Sequence, residues 1–267
     1  MKAEAKLDHP AAAAKTWSIN SLPLEVLSVI GLFVLWLVLT QTIVPPLIFP
    51  SPQAVFATVE DRPWTIVEYA GATTARVVVG FLIGSAFGVL NGISLHMNPV
   101  LGRISDPIVE ILRPVPPIAM MPFIIIWFGI GDLGKVIIVA AGCSTILLVN
   151  TVEAIRRVNP NFVHAARSLG ASKQHIYRTI VIPAILPSVF AGLRVALALS
   201  FTLTIAAEFM GAQTGLGFMI MLARRYLDTA SIVAGIIIIG VLSLGMDRIL
   251  RSTGKHLLRW SPQTSSW

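Results

Sequence analysis

Catalysis needs charged or nucleophilic side chains gathered at one place, and in this sequence they stand apart. Glu208 is the acidic residue placed inside a long apolar stretch, interrupting an otherwise charge-free run from 195 to 223. A carboxylate in hydrocarbon is costly and usually faces a partner or a cavity. The expectation is a structural group that pairs with another span or caps the glycine-rich segment after it, with a gate residue as the alternative. Arg194 lies about 21 Å away along a helix, too far to be its partner on the same helix. His9, His96, His164, His175 and His256 are scattered, so no metal site is expected. Gly-x-Ser-x-Gly, His-Glu-x-x-His and paired aspartates inside the apolar stretches are all absent, which argues against an enzyme. A Gly-x-x-x-x-Gly-Lys-Ser/Thr phosphate loop is absent too, so any ATP chemistry must belong to another chain.

The uncharged polar residues of the apolar stretches include Asn91, Ser94, Ser144, Thr145, Asn150, Ser200, Thr202 and Thr204. Such groups more often hydrogen-bond between helices than bind a solute. Asn91, Asn150, Thr202 and Glu208, with the kink prolines Pro116 and Pro117, form the candidate pathway or gate set. Arg224 and Arg225 follow Gly215 and Gly217 in a segment expected outside the membrane. They would meet an acidic docking surface, attract an anion, or snorkel to lipid headgroups.

The elements that must hold these groups follow from the composition. The 267 residues are 55% hydrophobic and only 12% charged, with a mean hydropathy of +0.80. A soluble fold of this size needs about twice that charged share. Residues 26–59, 77–102, 114–131, 136–152 and 229–246 contain no Asp, Glu, Lys or Arg. With 195–223 they give six candidate crossings, since a bilayer core needs roughly 20 apolar residues as a helix. The expected fold is therefore an all-α polytopic membrane protein with about six spans, near Leu24–Val44, Val77–Met97, Ile108–Phe128, Val136–Ala154, Ser188–Met210 and Ile232–Leu250. These lie in a domain from 21 to 250, between an N-terminal tail (1–20) and a C-terminal tail (251–267). The apolar run after the N-terminus is too long for a signal-peptide core.

With both termini in the cytoplasm, thirteen Lys and Arg fall in cytoplasmic segments and five outside, namely Arg62, Arg76, Lys135, Arg224 and Arg225. That bias fits the positive-inside rule and accounts for the net charge of +7 without a nucleic-acid partner. Cys143 is the single cysteine, so no intrachain disulfide forms. Gly80, Gly84, Gly88 and Gly92 recur at i+4 and predict close helix packing along the second span. Arg113-Pro114-Val115-Pro116-Pro117 and Pro122 break the start of the third span, where irregular backbone is tolerated only against protein or a water-filled cavity. A plain loop entering the membrane late is the alternative.

The longest cytoplasmic segment, 156–183, is patterned differently. Asn159-Pro160 opens a helix, Phe162, Ala165, Ala166 and Leu169 recur at helical spacing, and Gly170 stands where a left-handed cap is needed. Ser172 caps a second helix, whose extension into the fifth span Pro183 and Pro187 are expected to limit.

His164-Ala165-Ala166-Arg167-Ser168-Leu169-Gly170-Ala171-Ser172, continuing to Pro183, resembles the Glu-Ala-Ala coupling loop of the permease subunits of binding-protein-dependent ABC importers. His164 stands where that motif has Glu. Phe49-Pro50-Ser51-Pro52, Asp106-Pro107-Ile108-Val109-Glu110, the Arg113 to Pro117 run, Ile126-Trp127-Phe128-Gly129-Ile130-Gly131 and Gly215-Leu216-Gly217-Phe218-Met219 resemble the branch importing taurine, alkanesulfonates, nitrate and related small anions. They are most like its taurine permeases. The resemblance implies a non-catalytic subunit forming half of a pathway in the bacterial inner membrane. It also implies a second permease copy, two cytoplasmic ATPases that hold the ATP and Mg, and an extracytoplasmic binding protein. The ATPase-contacting residues would be 164–172 and Pro183. A stand-alone secondary transporter is the reading from another class; it would call for ionisable relays in several spans and an inverted repeat, which are not seen.

Overall fold

The computed structural model describes residues 22–42, 45, 48–112 and 114–260. The tail expected at 1–20, Arg113 and residues 261–267 lie outside them. The chain divides into two units, Met1–Pro52 and Gln53–Trp267. In the first, α1 (Leu22–Thr42) is an apolar helix, and the Trp36 indole donates to Pro50 O (3.0 Å) and meets the Phe49 ring at a tilt.

The second unit is helical throughout, with no strand among the described residues. In chain order it contains α2 (Pro52–Asp61), α3 (Pro63–Met97), α4 (Pro99–Leu112), α5 (Met121–Phe128), α6 (Asp132–Arg156), α7 (Pro160–Ser168), α8 (Lys173–Ile176), α9 (Ile182–Gly211), α10 (Leu216–Arg225) and α11 (Thr229–Leu257). Four helical segments are long and apolar enough to cross a membrane: Pro63–Met97, Asp132–Arg156, Lys173–Gly211 and Thr229–Leu257. Shorter apolar helices, Val26–Thr40 and Pro117–Phe128, occupy the places of the first and third expected spans.

The glycine stripe fixes the central packing. A Cβ on Gly80 would sit 2.7 Å from Val139, one on Gly84 would strike the Ala140 backbone, one on Gly88 would lie 2.5 Å from Ser144 O, and one on Gly92 would lie 2.8 Å from Thr151. Both series of numbers rise together, so α3 and α6 run parallel with their backbones in contact, which only glycine permits. Helix α9 runs antiparallel to α6: Cys143 Sγ faces Ala196 O, and Gly192 lies against Asn150. Val77, Phe81, Ile138, Val139, Leu147, Leu197 and Phe201 fill the space among these three helices. Cys143 is fully buried there as a packing residue. Large apolar side chains on the other faces, such as Leu82, Ile83, Phe87 and Ile236, are exposed in this single chain, as lipid or partner contact requires.

Three expected boundaries fall differently in the structure. The third span begins broken, as the prolines imply, and its range Ile108–Phe128 holds more than one element. Its first residues belong to α4, irregular backbone follows at 114–116, and a 3-10 turn (Pro117–Met120) leads into α5. The prolines remove the donors a continuous helix would need. Pro183 and Pro187 do not stop the second loop helix, because a π-helical turn at Tyr177–Val181 joins α8 to α9. Its wider i→i+5 pattern offsets the backbone just before the Pro183 ring. The sequence 251–257, expected in the C-terminal tail, is the last part of α11, where Gly254 is buried; Leu258 just beyond it is buried as well.

Candidate functional site: an exposed turn and a buried clamp

The segment after α6 forms two helices around a tight turn. The Asn159 side chain accepts from Asn161 N (2.9 Å) and caps α7, with Pro160 at the first helical position. His164 to Ser168 complete α7, Leu169 closes it, and Gly170 takes φ +79°. Ala171 N donates to Ala166 O (3.0 Å) and Gly170 N to Arg167 O (2.9 Å), the paired bonds of a left-handed helix end. Ser172 then caps α8 by accepting from His175 N (3.3 Å). Phe162 and Leu169 are 63% and 88% exposed, an apolar edge with nothing of this chain over it. The turn is tied to the bundle. Lys173 Nζ donates to Met97 O at the end of α3, His96 lies beside Tyr177, and Ile176, Tyr177, Val181 and Ile185 pack with Ile155.

At the opposite end of α3 and α9 lies a buried polar clamp. Arg76, expected in an outer loop, is 4% exposed inside α3, and Glu208 on α9 is 1% exposed. Arg76 Nη1 donates to Glu208 Oε1 (2.5 Å) and to Thr214 O (2.8 Å), Nη2 donates to Thr214 Oγ1 (2.8 Å), and Nε donates to Asp132 Oδ1 (2.9 Å). Glu208 also accepts from Thr73 Oγ1 (2.9 Å) and Gly217 N (2.7 Å), while Thr73 accepts from Leu216 N (2.8 Å). A Cβ on Gly215 or Gly217 would lie 2.5 or 2.7 Å from Glu208, so two glycines let the backbone wrap the carboxylate. Gly215 has φ +115°, a conformation that side chains disfavour. Lys135, also expected in a loop, is 4% exposed and donates to Ile130 O (2.7 Å).

Glu208 is not alone among carboxylates inside a span. Asp247 lies well within α11 and forms a two-pronged pair with Arg194 of α9, at 2.8 and 3.2 Å. The sequence had only Arg194 in view, and as a distant neighbour of Glu208.

The candidate pathway residues do not form one cluster. Asn91 and Thr202 donate to Phe87 O and Ala198 O of their own helices. Pro116 is exposed and Pro117 half-buried in the break before α5. Asn150 leaves its Oδ1 buried without a partner, beside a half-open cavity of about 390 Å³ lined by Thr145, Glu153 and Val195. Asn150 packs at Gly192, and Glu208 is about 24 Å further along α9, at the other end of the bundle. Arg224 and Arg225 are exposed in the last turn of α10. Among the described residues no group of His, Cys, Asp and Glu side chains is placed to hold a metal.

Residues 76–258 match the model of the binding-protein-dependent transport system inner membrane component family. The taurine transport system permease protein TauC of Escherichia coli (strain K12) is 31% identical over 236 residues, 86% of each chain. The bicarbonate transport system permease protein CmpB of Synechococcus elongatus is 27% identical over 261 residues, 92% of this chain and 93% of that one. Among solved structures, an inward-facing form of the MetNI methionine ABC transporter shares the fold, with a TM-score of 0.60 and 23% identity over 72% of this chain and 98% of that one. From the clamp at Arg76 to the end of α11, the described bundle coincides with the matched region, and the chain belongs to the family of inner membrane components of binding-protein-dependent transport systems.

Proposed function

We propose that this chain forms half of the translocation pathway of an ATP-driven importer for a small organic sulfonate such as taurine. That it is a non-catalytic ABC importer permease, working with an ATPase that hydrolyses ATP and with a binding protein, follows from its family. The finer reading is ours. A second copy of the chain completes the pathway, and two ATPases bind ATP and Mg on the cytoplasmic side, where both termini lie. The binding protein delivers solute at the clamp end.

One observation carries the coupling reading: the α7–Gly170–α8 turn presents Phe162 and Leu169 outward and continues without a break, through the π turn, into α9. An ATPase groove that grips 164–172 would thereby move a helix of the pathway. The sulfonate reading is supported by the likeness to TauC over 86% of both chains. The bicarbonate permease, alike over more of the chain at lower identity, favours a second reading in which a small inorganic anion is carried.

The test is reconstitution of the chain in liposomes with its ATPase and binding protein. The expected result is uptake of labelled taurine that needs ATP and both partners. Uptake of bicarbonate but not taurine would replace the substrate. Solute movement by the chain alone, without ATP, would overturn the importer and favour a secondary transporter.

A further inference from the structure

A pocket of about 310 Å³ opens at the clamp end of the bundle, between the α2–α3 corner and the α10–α11 corner. Its apolar floor includes Ile66 and Met219, which are 8% and 9% exposed, and its rim carries Arg62, Tyr69, Tyr226 and Asp228. Its size falls at the lower end of small-molecule sites, which combine an apolar floor with a few polar groups.

Three features set this rim apart from ordinary surface. No hydrogen bond or ion pair engages the Arg62 guanidinium among the described residues, although it stands at the N-terminal cap position of α3. The Tyr69 ring is held edge-on by Phe218, with centroids 5.9 Å apart, so the α3 wall is preset. On the other wall, Leu227 is the non-glycine residue with positive φ (55°) among those described, and it lies between Tyr226 and Asp228. Strained backbone of this kind persists where the surroundings force it, and it clusters at ligand sites. Asp228 accepts from Ser231 N (3.1 Å) and Ser231 Oγ (2.5 Å), which fixes its carboxylate at the start of α11 while leaving lone pairs free.

We propose that this pocket receives a small zwitterion, its anionic head on Arg62 and its ammonium on Asp228, with the two tyrosines flanking a short apolar linker. Aminoalkanesulfonates and short amino acids are of this class. The assignment deepens the importer reading and rests on it for the identity of the solute, since the permease itself would then check charge at both ends of what the binding protein delivers. A guanidinium selects a planar or tetrahedral oxyanion by fork-like hydrogen bonds, and a carboxylate fixed two helices away rejects solutes with no cation.

The experiment is equilibrium binding of labelled taurine to the permease–ATPase complex in nanodiscs without binding protein, with ethanesulfonate as the analogue that lacks the ammonium. The expected result is saturable taurine binding, weakened at least about tenfold by Arg62→Gln. Asp228→Asn keeps the cap on α11 and should erase the preference for taurine over ethanesulfonate without lowering ethanesulfonate binding. Unchanged taurine binding in both variants overturns the site. So does a complex that imports taurine with its binding protein yet shows no saturable binding without it. Binding with the expected variant pattern but no taurine import overturns the substrate reading and leaves the site standing.

Discussion

Replacing Glu208 tests whether the clamp holds the bundle together. Every partner of its carboxylate is a donor: the Thr73 hydroxyl, the Arg76 guanidinium and Gly217 N–H. In Glu208→Gln the amide NH₂ must therefore face another donor, and Arg76, itself 4% exposed, loses its buried counter-charge. Asp132 remains beside Arg76, but its side chain is 69% exposed and compensates little. Removing one partner of a buried pair costs about 3–5 kcal/mol, and the two bonds that Arg76 keeps to Thr214 put this variant near the lower figure, about a hundredfold in the folding equilibrium. Replacing both groups removes the unpaired charge, so Arg76→Met/Glu208→Leu should be more stable than the sum of the single changes predicts. Unfolding in mixed micelles titrated with SDS, followed by tryptophan fluorescence, measures all the variants on one scale. If Glu208→Gln lies within about 0.5 kcal/mol of the parent, the size of an ordinary surface change, the clamp does not stabilise the fold. Simple additivity in the double variant would also refute the pairing.

Other perturbations address other parts of the molecule. Gly170→Val places a β-branched residue at φ +79° and should cost about 1–2 kcal/mol locally. Uptake should fall sharply while the amount of chain in the membrane, read by immunoblot, stays level; normal uptake would remove the turn from coupling. Gly84→Leu puts side-chain atoms into the Ala140 backbone, and the expected outcome is loss of folded protein on a size-exclusion column. A monodisperse product would show that α3 and α6 can separate. Asp247→Asn breaks the two-pronged bond to Arg194 and should cost about 1–3 kcal/mol, with faster proteolysis after α10; an unchanged cleavage rate would mean that α11 is held by apolar packing alone.

What the sequence made legible was mostly backbone chemistry. The prolines before α5, the glycine stripe on α3 and the left-handed turn at Gly170 each act on their own few residues, so spacing alone exposes them. Ser172 and Asn159 were readable as caps for the same reason. The clamp was not. Arg76 and Glu208 are 132 positions apart, and Arg76 borders a charge-free run, which made it look like a loop residue. Helix α3 begins at Pro63, well before that run, so Arg76 lies in its interior. Asp247 was passed over although the expected span Ile232–Leu250 contains it: it follows a charge-free run that ends at 246, and α11 continues to Leu257. Counting charge-free windows locates where a helix is apolar but not where it stops, and Arg76, Arg194 and Asp247 all sit just past such windows. The π turn left no readable signal, since two prolines suggest interruption and cannot by themselves reveal a wider turn that accommodates them.

The two ion pairs on α9 limit how it can move. Arg194 fastens it to α11, and Glu208, fourteen residues and about 21 Å further on, fastens it to α3. A rod pinned at two well-separated points cannot slide along its own axis without breaking both pins. A displacement of α9 that keeps both pairs intact must therefore carry α3 and α11 with it, so the three helices move as one body.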